Sequence, residues 1–185
     1  MARHNLWRDD MGHALRPLVS HVWWERTCPD VAATDGDEAR LDLVVADPLT
    51  GALLDFVVFY PIQKNGKDVY KHKTHEKKKY EKYPMRDGEG RRITNHKVIP
   101  VVANVFGQLN DTAREYFDLV ESVAKMRGRP YRPHAGGPRT LAGLASLSVI
   151  LTAAQLVRQA YSRRRAELTA TASEVPGAAA PVVVD

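Results

Sequence analysis

The sequence predicts an α/β fold: a mixed sheet of about four strands flanked by helices, in the order α-β-β-β-α-β-α-α. Three observations carry this prediction. Residues 40–46 (RLDLVVA) and 52–60 (ALLDFVVFY) are strand-forming runs joined by a turn. The second run is apolar on both faces apart from Asp55, as expected of a strand covered on both sides. Stretches with helical spacing then alternate with a further strand run at 98–106.

The elements follow in order. Residues 3–20 read as a helix whose apolar points are Leu6, Leu15, Leu18 and Val19, with Pro17 limiting its end. Residues 21–25 (HVWWE) read as a short strand, with the Trp23–Trp24 pair assigned to the core. Residues 27–36 carry Pro29, Asp30, Asp35 and Gly36 and read as a loop. The hairpin turns through Asp47-Pro-Leu-Thr-Gly51, where Pro48 presets φ and Gly51 permits a positive one. Residues 70–83 read as a helix stopped by Pro84, and 85–95 as a polar loop. In the strand at 98–106, Pro100 implies irregularity or an edge position, and Gly107 ends it. Residues 111–126 place Ala113, Tyr116, Phe117, Val120 and Val123 at helical spacing. A Gly/Pro/Arg linker leads to a final helix at 140–168.

Residues 1–135 are thus expected to form the core domain and 136–168 a C-terminal helix packed on it. The Ala/Pro/Val-rich residues 169–185 are expected to be a disordered tail. Residues 140–157 carry no charge, but Gly143, Ser146, Ser148, Thr152, Gln155 and four alanines dilute them, so a packed amphipathic helix is expected, not a membrane span.

Composition narrows the function. The chain has 185 residues, 44% of them apolar, which is too rich for wholesale disorder. Its single cysteine, Cys28, excludes an internal disulfide framework and a Cys-x-x-Cys zinc site. No phosphate-cradling glycine loop with a Gly-Lys-Ser/Thr ending occurs. The charged start MARHNLWRDD has no apolar signal-peptide core, and an intracellular setting is expected. Net charge is +5, yet residues 64–97 alone carry twelve Lys/Arg against five Asp/Glu. A cationic segment on a near-neutral body points to a polyanionic partner, most commonly nucleic acid.

Asp42 and Asp55 need explaining. A turn centred near Leu49 sets Asp42 opposite Asp55 or Phe56. Opposed cross-strand side chains have Cβ atoms about 5 Å apart, where two carboxylates repel each other. A divalent cation or a buried basic group must offset that cost. The next helix supplies a positive side: Glu76, Lys79 and Tyr83, spaced three and four apart, share one face, with Lys78 and Lys82 at its edge. Two carboxylates that bind Mg²⁺, or Mn²⁺, beside a lysine can form a metal-dependent phosphodiesterase site.

These pieces resemble a known family. The run ARLDLVV, then GALLDFVV ending in Pro61, then HEKKKYEKY, then VIPVVANVFGQL is similar to PD-(D/E)XK nucleases, the restriction-endonuclease-like superfamily. More narrowly, it resembles the endonuclease-like region downstream of reverse transcriptase in some non-LTR retrotransposons, over roughly residues 10–160. The resemblance implies a restriction-endonuclease-like core and DNA cleavage, with Asp42 and Asp55 as metal ligands. Position 57, two after Asp55, is Val57 rather than the motif lysine, and Lys79 matches branches in which that lysine has moved to the following helix. Lys79 and Glu76 are then catalytic with the two aspartates. Glu25, or with less support Glu38, is the accessory acid, and Tyr83 a further accessory residue. Lys71, Lys73, Lys77, Lys78, Lys82, Arg91 and Arg92 are the expected phosphate contacts. DNA is the implied partner, with RNA or a reverse transcriptase as others, and the nucleus is the implied compartment in a eukaryote. The alternative from another class is a catalytically inactive nucleic-acid-binding module, or an element remnant, that keeps the fold.

Overall fold

The computed structural model describes residues 2–32, 38–61, 72–83 and 98–173. The described residues form an α/β structure of four helices and one four-stranded mixed sheet. The elements are α1 (Ala2–Leu15), β1 (His21–Ala32), β2 (Glu38–Ala46), β3 (Ala52–Phe59), α2 (His72–Lys82), β4 (Val98–Asn104), α3 (Asp111–Met126) and α4 (Leu141–Ser173). Their order is the predicted one.

The strands lie in sequence order, β1-β2-β3-β4. The first two pairings are antiparallel and the last is parallel, bridged by α2. The β2–β3 register pairs Leu43 with Leu54 and Val44 with Leu53, the register expected from a turn near Leu49. Both β3 and β4 are apolar runs and both are largely buried.

Alternation along β3 divides the core. Leu54 and Phe56 face a large cluster with Ile99 and Val101 of β4, Trp7 and Met11 of α1, Phe117 of α3 and Leu141 of α4. Leu53 faces the other way, toward a small cluster with Leu41, Val98 and Tyr83 beneath α2. The sheet therefore separates α2 from the other three helices.

Pro100 sits in β4, an edge strand, at no cost to the ladder. Its carbonyl points outward and accepts a hydrogen bond from the Asn110 side chain at 3.0 Å, so its missing N–H would also have pointed away from β3. Asn110 laces this edge further: its Oδ1 accepts the Val102 N–H at 2.9 Å, and its own N–H donates to the Val102 carbonyl at 2.9 Å. Beyond the strand, Gly107 has φ +82°, and a Cβ there would lie 2.6 Å from the Ser146 carbonyl of α4. Glycine lets the chain turn and α4 dock at the same point.

Several expectations are corrected. Leu6 is exposed, and α1 buries Trp7, Met11 and Leu15, one turn apart each. Residues 27–32, expected as loop, continue β1, with a register irregularity between Cys28 and Ala32 that accommodates Pro29. Trp23 is 39% exposed instead of lying in the core, whereas Trp24 packs against the large cluster. In α4 the buried positions are Leu141, Ala145, Ser148, Val149 and Thr152, while Leu147, Ile150, Leu151, Val157 and Tyr161 are exposed. Its first three turns dock on the core; Leu141–Glu167 is by length and composition long and apolar enough to cross a membrane. The helix also reaches Ser173, into the expected tail, whose residues 174–185 lie outside the described residues.

Candidate active site

The β2–β3 register brings Asp42 level with Asp55. The named ladder ends one pair earlier, at Leu43–Leu54, and beyond it the Asp42 carboxylate accepts the Phe56 N–H at 2.6 Å. Asp55 alternates with Leu54 and Phe56, so it points to the α2 side of the sheet. There Lys79 Nζ donates to its Oδ2 at 2.7 Å. The Asp55 side chain is 6% exposed and that of Lys79 21%. Asp42, Asp55 and Lys79 thus converge from β2, β3 and α2.

The electrostatics follow from burial. Desolvation pushes the Asp55 carboxyl up, to about 6; the Lys79 ammonium opposes the rise, and the Asp42 charge and hydrogen bond reinforce it. The carboxylate that the sequence singled out as costly is costly in place. Its ion pair with Lys79 offsets part of that cost.

No residue of α2 is itself buried. Its placement therefore depends on aromatic and apolar contacts and on polar ones: the Lys79–Asp55 pair, His72 with the Gln108 carbonyl at 2.8 Å, and an anchor at the start of α3. Tyr83, just past its last turn, is buried with Leu41, Leu53 and Val98. Phe59 packs on His72 and His75, each with ring centroids 4.8 Å away. The anchor is Glu76, which accepts hydrogen bonds from the Thr112 hydroxyl and, at 3.3 Å, from Asn110 Nδ2. Asn110 is the residue that laces β4 opposite Asp55, since Pro100 pairs with Asp55. The chain Glu76–Asn110–Pro100 thus ties α2 to the strand beside the acid pair.

Not every predicted site residue joins the trio. Glu76 is held at the start of α3, and the Tyr83 ring belongs to the core. Glu25 has φ +47° and pairs with Arg8 and Arg40, whose hydrogen bonds hold its carboxyl below the usual range. Glu38 begins β2. Lys73, Lys77, Lys78 and Lys82 are exposed on α2. Lys77 also pairs with Glu81 at 3.6 Å, and Lys82 lies over the Tyr83 ring. Lys71, Arg91 and Arg92 lie outside the described residues. Sequence reasoning did not find Thr112 or Asn110; the one available signal is an asparagine just before a helix, and its side chain serves β4 instead of capping α3.

No family model matches this chain, and neither does any curated protein or solved structure.

The donor set is compatible with a hard divalent cation. Mg²⁺ keeps several waters and takes one or two protein carboxylates plus phosphate oxygens. Two adjacent aspartates would supply such oxygens, and an ion between them would relieve their mutual repulsion. Among the described residues no group of three His, Cys, Asp or Glu side chains is gathered to hold a metal. An ion there would be held by the aspartate pair.

Proposed function

We propose that this chain is a metal-dependent endonuclease with a restriction-endonuclease-like core, cleaving phosphodiester bonds in DNA. The observation that carries the reading is the meeting of Asp42, Asp55 and Lys79, brought by three elements to one place.

Asp42 and Asp55 would hold Mg²⁺ or Mn²⁺. When bound, the ion supplies polarisation of the phosphate and a water of lowered pKa. The chain's own groups do the rest. Lys79, at rest on Asp55, turns its ammonium to the phosphate and balances the charge that develops there. Glu76 is a positioning residue: through Thr112 and Asn110 it fixes the rotation of α2 and so the aim of Lys79. The exposed α2 lysines hold the phosphates on either side, with little regard to sequence. The retroelement-like arrangement in the sequence supports the same reading, with a reverse transcriptase as its neighbour and the nucleus as its compartment in a eukaryote.

One observation favours the alternative, an inactive nucleic-acid-binding module. Lys79 already neutralises Asp55, and the Phe56 N–H already satisfies Asp42, so the pair is balanced by the chain itself. Plasmid nicking separates the two. With Mg²⁺ or Mn²⁺ the native chain should convert supercoiled plasmid to open circle, and EDTA should stop it. Asp55→Ala should abolish nicking, and Lys79→Ala should lower its rate by about 10²–10³-fold, the usual cost of one charge-stabilising group. DNA binding without nicking by the native chain would establish the module instead.

A further inference from the structure

We propose that Trp23 is a stacking platform for an unpaired base of a single-stranded nucleic acid, on the same sheet face as the aspartate pair. The proposal deepens the nuclease reading and rests on it.

The face is fixed by register. Trp23 pairs with Val44, and Val44 with Leu53. Directly paired residues on neighbouring strands point to one face. Leu53 points into the small cluster beneath α2, and Asp55, two residues on, shares its side. Trp23 therefore looks out on the same face as Asp55, two strands across and two residues along. Strand spacing of ~4.8 Å and a rise of ~3.3 Å put their Cα atoms about 12 Å apart.

Among the described residues, no element packs over that half of the face. Helix α2 packs over β4 and the small cluster, leaving His21, Trp23 and Arg26 of β1 exposed. The other two side chains are already arranged around the Trp23 indole. The His21 ring lies nearly parallel to it, at 14° and 5.8 Å between centroids. The Arg26 guanidinium sits 5.3 Å from the ring centroid. Arg26 reaches this face because Glu25, with its positive φ, kinks the strand between them.

Charge selects the occupant. An exposed indole flanked by arginine and histidine, with four exposed lysines on the helix across the face, suits an anionic chain that carries aromatic rings. Bases inside a duplex already stack on both sides, so the exposed indole is left to an unpaired one. Both Arg26 and His21 are exposed, and the base would take the place of one of them on the ring. At the stacked rise of ~3.4 Å per nucleotide, the base on Trp23 falls about three or four nucleotides from the phosphate at Asp55. The preferred substrate then has a single-stranded flank of that length beside the cut.

The test uses the full chain in EDTA, so that binding is read without cleavage. Fluorescence anisotropy would follow a labelled oligo(dT) and a labelled duplex of equal length. Trp23→Ala should weaken oligo(dT) binding about 10-fold, within the range measured for one stacked base. Duplex binding should stay within about twofold, and Trp23→Phe should restore most of the loss. Unchanged melting temperatures would show that the variants fold. The platform is overturned if Trp23→Ala binds oligo(dT) like the native chain, or if it loses duplex and single strand equally. The plasmid assay scores the enzyme separately. A chain that nicks but is indifferent to Trp23→Ala loses the platform alone; one that never nicks yet shows the Trp23-dependent preference loses the enzyme alone.

Discussion

Asp55 carries a proton in the fold at pH values where the unfolded chain has released it. Its carboxyl is raised by burial from an ordinary 3.8 to about 6, against the pull of Lys79 and with the push of Asp42. Between about pH 4 and pH 6 its ionisation therefore subtracts stability as pH rises. Asp55→Asn removes that titration. The native chain's unfolding free energy, less that of Asp55→Asn, should fall by on the order of 2 kcal/mol across this window in urea titrations. A flat difference would mean an ordinary carboxyl. Lys79→Met should show the complement: it strips the counter-charge from a buried acid, so its penalty should be largest near pH 8. The penalty should shrink toward pH 5, where Asp55 can neutralise itself by protonation. This much of the site was legible, because Asp55 interrupts an otherwise apolar strand and Lys79 falls on the matching stripe of the next helix. The partners of the other acids were not. Glu76 with Thr112, and Glu25 with Arg8 and Arg40, join residues from 15 to 36 positions apart, and no local pattern encodes such choices. Trp23 misled for a related reason: strand alternation says that Trp23 and Trp24 face opposite ways, but not which face is covered.

The β2–β3 turn shows how one element end can tie down several others. The Asp47 side chain is completely buried. Its carboxylate accepts the N–H groups of Leu49 and Thr50 at 3.0 and 3.1 Å, closing the turn. It also accepts the N–H and hydroxyl of Ser20 at 3.1 and 3.0 Å, and both terminal nitrogens of Arg127 at 2.6 and 3.2 Å. Burial alone would raise this carboxyl, but Arg127 and the other donors outweigh it and hold it well below the usual range. The resulting stability is present above about pH 4 and is lost as pH falls below it. Asp47→Asn should cost about 3 kcal/mol at pH 7 in chemical denaturation, and the cost should diminish in acid. A constant penalty at every pH would assign the effect to packing. The turn itself was readable from Asp47, Pro48 and Gly51, but Gly51 does not take the positive φ expected of it and is instead needed for a close approach, since a Cβ there would lie 2.7 Å from the Asp47 carbonyl; that the turn's first residue also clamps the segment after α1 and the end of α3 was not readable. The same division holds for the other elements. Continuous apolar runs and Pro/Gly punctuation located β3, β4 and α3 within a residue or two. Where punctuation and structure diverge, as at Pro29 in the edge strand β1, the sheet overrode the local signal. In α1 three apolar residues, each four positions from the next, were too sparse a stripe to read among charged neighbours.

At the scale of the whole molecule, the sheet puts its cationic helix and its acid pair on one side. The core helices α1, α3 and α4 lie on the other. On the nuclease reading, a nucleic-acid backbone that follows α2 would be led across Asp55, which would link the charge of α2 to the candidate site. On the nuclease reading this linkage has a measurable slope. Four phosphate contacts, from Lys73, Lys77, Lys78 and Lys82, would make the logarithm of the duplex binding constant fall with the logarithm of salt concentration at a slope of about −3.6. Replacing Lys73, Lys78 or Lys82 by alanine should each flatten the slope by about 0.9. Lys77→Ala should flatten it less, because Glu81 already shares its charge. Arg164→Ala, on the exposed outer end of α4 and paired with Glu167, should leave it unchanged. Equal slopes for the α2 variants and the native chain would remove α2 from the contact surface. A native slope much steeper than four contacts allow would extend that surface to the remaining basic residues of 64–97, among them Lys71, Arg91 and Arg92.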